Sequence, residues 1–377
     1  VAAAVASVVA AVLCAPPAAA QGNLAVQGLG YAPGQLSSAT RGIGGAAAEF
    51  DPLTPINPAT LALWGRPAVY LQFEPEARKT TTPTSTDATG ASRFPLLATG
   101  LALGSRVAIG ASFSTFLDRT SAVTRQGFQT IGGDTVGFTE TARVRGAIAD
   151  SRLGVAVSLP FQVALGVGLH AYTGEHRLND RRGYDPDSPY VGYAFDRVVR
   201  YSGRAVSAGM TWQPIRWFGL GASLRTGGRL DAVNEAAALN VRADAPSRWS
   251  VAVKTEPARG TLLYARTERT RWSSLAPMLE SAVGAFDTEE IAAGVDAQGP
   301  RIGGVGTLVR FGVQQRGLPF GVAGRQIDER SVMGGVAVGL AQGRALLDLT
   351  LQRASRSASG GLAERAWITS IGLSVRP

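Results

Sequence analysis

Residues able to do chemistry are few and scattered in this chain. Only two histidines occur, His170 and His176. A catalytic zinc takes three side-chain ligands, and no nearby pattern of Cys, Asp or Glu completes a set around either. Asp287, Glu289 and Glu290 cluster at the start of one strand-like stretch, and Asp185 and Asp187 in a polar one. Paired carboxylates can exchange protons or hold calcium, but here they read as solvated rim charge. Gly303-Gly304-Val305-Gly306 lacks the Lys-Ser/Thr of a phosphate-binding loop and precedes a strand pattern, not a helix. No Ser, His and Asp arrangement stands out as a nucleophilic triad. The single cysteine, Cys14, excludes disulfides and multi-cysteine metal sites. The expectation is a protein that is not an enzyme and needs no cofactor or metal.

The elements that would position any site are far more legible. Val107, Ile109, Ala111 and Phe113 alternate with Ala108, Gly110, Ser112 and Ser114. The same two-residue period runs through Leu153–Leu159, Val163–Leu169, Phe218–Leu224 and Ile371–Val375. A strand turns successive side chains to opposite faces. One face here is branched and aliphatic, the other small, polar or charged. That is the code of a membrane-spanning wall around a polar or filled lumen. Leu153–Gly174 carries no Asp, Glu, Lys or Arg and is long enough for a membrane helix. Pro160 interrupts it, however, and its period is two, so it reads as a hairpin.

Fourteen strands follow from this patterning: 66–74, 94–104, 105–117, 136–159, 161–174, 197–213, 215–228, 247–256, 260–272, 286–297, 304–316, 331–341, 344–354 and 365–376. Short turns alternate with long polar stretches at 75–93, 118–135, 175–196, 229–246, 273–285, 317–330 and 355–364. The predicted fold class is all-β, a transmembrane up-and-down antiparallel barrel with short periplasmic turns and long outer loops. Trp64, Trp212, Trp217, Trp249, Trp272 and Trp367 fall near strand ends, where an aromatic belt would lie. Composition agrees. Of 377 residues, 45% are hydrophobic and 17% charged, and 47 are Gly, a residue that costs a helix interior about 1 kcal/mol each.

Residues 1–20 read as a cleaved signal peptide. Val1–Leu13 is apolar and Ala15–Ala20 ends in small residues of the A-x-A type, with cleavage before Gln21. Such a leader predicts export to a bacterial outer membrane. The net charge of +9 comes almost wholly from Arg spread between apolar residues. That spread argues against a nucleic-acid partner and suits contact with outer-membrane lipid and lipopolysaccharide phosphates.

Residues 21–65 lack clean alternation and are rich in turn formers, which predicts an N-terminal hatch inside a barrel formed by 66–377. Within it lie Gly42, Gly44, Gly45 and Ala46, then Asp51, then Asn57-Pro58-Ala59. This stretch resembles the hatch of the outer-membrane long-chain fatty-acid transporters of the FadL type and their secretion-system relatives. Weaker echoes occur at Tyr264 to Trp272-Ser273 and at Leu318-Pro319-Phe320. The resemblance implies a fourteen-stranded barrel and passive uptake of a hydrophobic small molecule such as a long-chain fatty acid. It gives Gly42, Gly44, Gly45, Asp51, Asn57 and Pro58 a gating role, with 42–45 as the flexible part and Asn57-Pro58 as the anchor. It supplies no ligand-contacting residues. The chain also ends Ser374-Val375-Arg376-Pro377, without the aromatic residue common at barrel termini. The alternatives are a secretion-associated binding or shuttle protein, with a secretion-system component as partner, and a general porin.

Overall fold

The computed structural model describes residues 24–65, 67–81, 86–234, 239–279, 283–301, 305–322, 324–358 and 361–376. The leader expected at 1–20, its cleavage point and Cys14 lie outside the described residues. Sixteen strands form one antiparallel sheet. They are β1 (Ala68–Thr81), β2 (Thr86–Leu103), β3 (Val107–Asp118), β4 (Ser121–Ile131), β5 (Asp134–Leu159), β6 (Val163–Tyr184), β7 (Tyr193–Ile215) and β8 (Phe218–Asn234). Then come β9 (Leu239–Asp244), β10 (Arg248–Ala258), β11 (Thr261–Thr270), β12 (Thr288–Gln298), β13 (Thr307–Gly317), β14 (Asp328–Leu340), β15 (Ala345–Ala358) and β16 (Leu362–Val375). β1 pairs with β16 and β8 with β10, while β4 pairs only with β5 and β9 only with β8, outside the ring so closed. The closed ring therefore has fourteen strands. Closure pairs every strand of the ring on both sides over at least part of its length; each amide left unpaired in hydrocarbon would cost several kcal/mol.

The alternation sorts the wall as its chemistry requires. On β5 and β6, Leu153, Val155, Leu165, Val167 and Leu169 face outward and exposed, whereas Arg152, Ala156, Ala164 and His170 are buried toward the lumen. Leu153–Gly174 is the expected hairpin, turning at Pro160–Gln162 with Phe161 at φ 61°. Trp212, Trp217, Trp249 and Trp367 are exposed on the wall. Trp64 and Trp272 depart from the belt expected for them, because both are buried in the interior.

Most stretches expected as long loops are strand instead. β1 and β2 run on to Thr81 and from Thr86, and 118–135 folds as β4 hairpinned to β5 through Gly132-Gly133. His176, placed by its spacing in a loop, is a fully buried residue of β6.

Two wall positions are broken strands. β3 shifts register against β5 between Thr115 and Leu117, and β4 resumes on β5 at Ser121. β9 likewise gives way to β10. The first break opens a seam. β2 pairs with β3 only from Leu96 to Leu103. Among the described residues, 86–95 of β2 have β1 as their sole strand partner. Pro95 stands where pairing stops and has no N–H to donate.

Candidate functional site

Within the barrel, the hatch meets two differently built walls. On one side, Asn57 caps a short 3-10 helix, Pro58–Leu63, its Oδ1 accepting from Ala59 N at 2.9 Å. Asn57 Nδ2 donates to Glu49 O and to Met210 O of β7, each at 3.1 Å. The wall beneath is glycine. A Cβ on Gly209 would lie 1.9 Å from Asn57 Oδ1, and one on Gly166 would lie 2.4 Å from the carbonyl carbon of Pro58. Leu61 sits likewise over Gly110 and Gly154. The small-residue face of β3, β5, β6 and β7 is thus the floor on which the Asn57-Pro58 segment rests.

Upstream, Ser37 caps helix α1 (Ser38–Gly42) by accepting from Thr40 N at 3.1 Å. Gly44 and Gly45 follow at φ +74° and +86°, which favours Gly at both. Gly44 lies against the inner wall, where a Cβ would reach Val313 O at 2.5 Å, and reciprocally a Cβ on Gly312 would reach Gly44 N at 2.1 Å. Gly42 meets Thr350 Oγ1 at 2.9 Å in the same sense. Asp51 ties the turns together. Its Oδ2 accepts from Ser37 Oγ, from Thr40 Oγ1 at 2.6 Å and from Thr54 Oγ1 at 2.8 Å, and its Oδ1 from Leu53 N at 2.9 Å. All six residues singled out in the hatch therefore lie on its inner knot or its contact with the wall.

On the other side the hatch is held by charge. Tyr31 is fully buried, with Arg78, Arg93, Arg316 and Arg356 at 4.7 to 5.9 Å from its ring centre. Arg316 Nη2 donates to its hydroxyl at 2.6 Å. Arg356 reaches Glu329 at 2.6 Å, Glu76 at 3.1 Å and Glu364. Arg41 bonds Glu74 of β1 at 3.0 Å and donates to Gln352 of β15 at 3.2 Å. Tyr31 also exchanges both backbone hydrogen bonds with Asp118, each 2.8 Å. It pairs with β3 beside the seam that β2 leaves open. Glu49 accepts from Ser223 at 3.0 Å and from Ser250, with Arg266 at 3.7 Å. Burial pushes its carboxyl up, opposed by Arg266 and Ser250.

The expectation that no Ser, His and Asp come together is overturned. His170 Nδ1 lies 2.9 Å from Asp150 Oδ1, and its Nε2 lies 2.9 Å from Ser207 Oγ. These are the distances of a nucleophilic triad. The group is also tied to the hatch and set against glycine. Gln35 of the hatch donates to Asp150 at 2.9 Å. A Cβ on Gly168 would lie 2.6 Å from Ser207 Oγ, so glycine is what leaves room for the hydroxyl. Among the described residues, no group of three or more His, Cys, Asp or Glu could hold a metal.

Above the hatch, toward the long hairpins, the interior becomes apolar. The register shift in β3 falls at Phe116, and a bulge of this kind re-aims its side chain. Phe116 is buried, stacks on Trp272 at 5.2 Å and meets Tyr172 at a tilt at 4.8 Å, and Trp272 meets Phe320 at 6.2 Å. Leu117, Ile148, Tyr201, Leu230 and Leu275 complete the cluster. Beneath it lies Arg225, 5.1 Å from the Phe116 ring centre, donating to Gln35 at 3.2 Å while its Nε makes no hydrogen bond. A cavity of about 50 Å³ separates the cluster from the hatch, and a larger one of about 590 Å³ lies on the opposite side of the hatch, lined by Phe50, Leu53 and Tyr264. The expected motif named none of these aromatic residues. The available signal was Trp272 and Phe320, each inside an echo of the transporter sequences.

This is the fold of the FadL-type outer-membrane channels. The chain superposes on a FadL homologue of Pseudomonas aeruginosa with a TM-score of 0.66 and 13% identity, over 92% of this chain and 99% of that one. It is similar also to the toluene transporter TbuX of Ralstonia pickettii, at TM-score 0.59 and 15% identity over 90% and 98% of the two chains. The toluene transporter TodX of P. putida gives 0.58 and 14% over 93% and 99%. No protein-family model matches the sequence, and no curated protein matches it.

Proposed function

We infer that this chain is an outer-membrane channel for passive uptake of hydrophobic small molecules. The observation that carries the reading is the aromatic cluster around Phe116, built at the break in β3 and beside the seam between β2 and β3. A ligand bound there has an apolar bed above and a route sideways into the bilayer. That route spares an apolar molecule the polar lumen below. Tyr31 closes the seam from inside, so displacement of this part of the hatch couples ligand arrival to lateral opening. Segment 42–45 serves as the flexible part and Asn57-Pro58 as the anchor.

Arg225 at the base of the cluster favours a ligand with an anionic head, such as a long-chain fatty acid, over a plain hydrocarbon. Its Nη1 lies 3.7 Å from Asp150 and its Nε makes no hydrogen bond, which leaves the guanidinium capacity for a second, charge-assisted partner. A general porin fits the filled lumen poorly and would show large single-channel conductance in planar bilayers. A secretion-associated role would show as stable co-purification with a secretion channel.

The test is binding by the purified barrel in detergent. Phe116→Ala is expected to weaken a fluorescent fatty acid about tenfold, the scale of one buried aromatic contact. Arg225→Gln should weaken the acid and leave toluene binding unchanged. Equal binding by wild type and Phe116→Ala, or no binding of either ligand, overturns the reading.

A further inference from the structure

Arg and Lys side chains stud the outer surface of the barrel near its long hairpins, and several have acidic partners. Arg177 bonds Glu175 at 2.7 Å, Arg229 and Arg242 share Asp231 at 3.0 and 2.8 Å, and Arg125 bonds Glu140 at 2.9 Å. One sector differs. Lys79 on β1, Arg365 on β16 and Arg330 on β14 are exposed and lie along one cross-strand row. Lys79 is directly opposite Arg365, Arg365 opposite Ser355, and Ser355 opposite Arg330. Arg353, two residues along from Ser355, lies over the exposed Trp367 at 5.6 Å. Among the described residues, no carboxylate lies within ion-pair distance of any of the four.

Like charges placed directly opposite on neighbouring strands destabilise a sheet. Strands are about 4.8 Å apart, so these cations crowd together on a face otherwise given to apolar residues. An anion from outside would relieve that repulsion. The wall also continues below them as a trough of about 660 Å³, running from Arg330 and Arg353 past Val313, Val332, Ala293 and Ile291. Cations at the top and an apolar furrow below match the two ends of one molecule.

We propose that Lys79, Arg330, Arg353 and Arg365 form a binding site for a phosphorylated, acylated lipid of the outer leaflet. The cations hold its phosphates, the trough takes one acyl chain, and the Trp367 ring marks the headgroup level. Arg suits this task because its planar fork meets phosphate through two hydrogen bonds. The site lies on the lipid side of the wall, opposite in direction from the cluster around Phe116, so its test does not depend on what the channel carries.

Delipidated barrel in detergent is titrated with lipid A, with the same lipid stripped of its phosphates, and with inorganic phosphate. One lipid A should bind per barrel, and the double variant Arg330→Gln/Arg365→Gln should bind it about thirtyfold more weakly, about fivefold for each charge lost near a phosphate surface. The dephosphorylated lipid and inorganic phosphate should each bind no better than that variant binds lipid A. Arg177→Gln/Arg229→Gln, which removes equal charge from ion-paired positions, should bind as wild type does. Wild-type affinity in the first variant, equal loss in the second, or equal binding of stripped lipid or free phosphate overturns the proposal. Should the first variant not fold, Lys79→Gln/Arg353→Gln removes the other half of the site with the same expected result.

Discussion

The two sides of the hatch are fastened by opposite means. Toward β3 to β7 the fit is one of shape, with Asn57, Pro58 and Leu61 set into Gly110, Gly154, Gly166 and Gly209. Toward β1, β13 and β15 it is mainly one of charge. Arg41 of the hatch joins Glu74, and Tyr31 sits against Arg316 and Arg356, which Glu329, Glu76 and Glu364 of the wall hold, although Gly44 also rests on Gly312. Close backbone contact falls off over a fraction of an ångström. Charge attraction declines slowly with distance and can be handed from one partner to the next. A segment held by shape is either seated or released, whereas one held by a network of ions can shift and still be held. The charged side is the side next to the seam.

Four substitutions sharpen that contrast. Arg356→Met strips three buried carboxylates of a shared partner and should lower stability by about 3–5 kcal/mol, read as a fall in the unfolding temperature of the whole barrel in detergent. Gly166→Val forces side-chain atoms into the Pro58–Ala59 backbone and should cost about 1–3 kcal/mol. Its loss should be local: heat-modifiable migration persists while the hatch becomes open to protease. Were Gly166→Val to unfold the barrel, or Arg356→Met to free only the hatch, the division drawn here would fail. Asp51→Asn replaces a charged acceptor of three hydroxyls and should cost about 1–3 kcal/mol, visible as faster hydrogen exchange over 37–54. Ser207→Ala removes one hydrogen bond, about 1 kcal/mol, and should leave fluorophosphonate labelling of the purified barrel at background. Labelling that depends on Ser207 would instead make Asp150, His170 and Ser207 a working triad.

How much of this could be read beforehand depended on which face of each strand carried a signal. Val107 to Phe113 and Leu153 to Leu169 announce themselves because lipid demands apolar residues at every second position. The same strands continue into 75–81, 86–93 and 121–131, where both faces are polar, so the period fades although the backbone pairing does not. Asn57-Pro58 and Gly44-Gly45 were visible as turn chemistry, yet not their partners, since Gly166, Gly209 and Gly312 look like any other small residue in a strand. The ionic side did leave a trace. Glu74, Glu76 and Arg78 occupy the inward positions of β1, between Phe73, Pro75 and Ala77, where unpaired charge is too costly to persist. Which residues answer them, Arg41 and Arg356 among others, follows only from the closure of β1 on β16. The same holds for Asp150, His170 and Ser207, brought together by register across three strands.

The length of β5 carries a practical consequence. At about 3.3 Å per residue, its 26 residues reach well past the 9–11 that cross a bilayer. The hairpin through Gly132-Gly133 must therefore stand clear of the bilayer like a mast. An antibody tag spliced between those two glycines should be recognised on intact cells, which fixes the orientation of the entire molecule without purifying it.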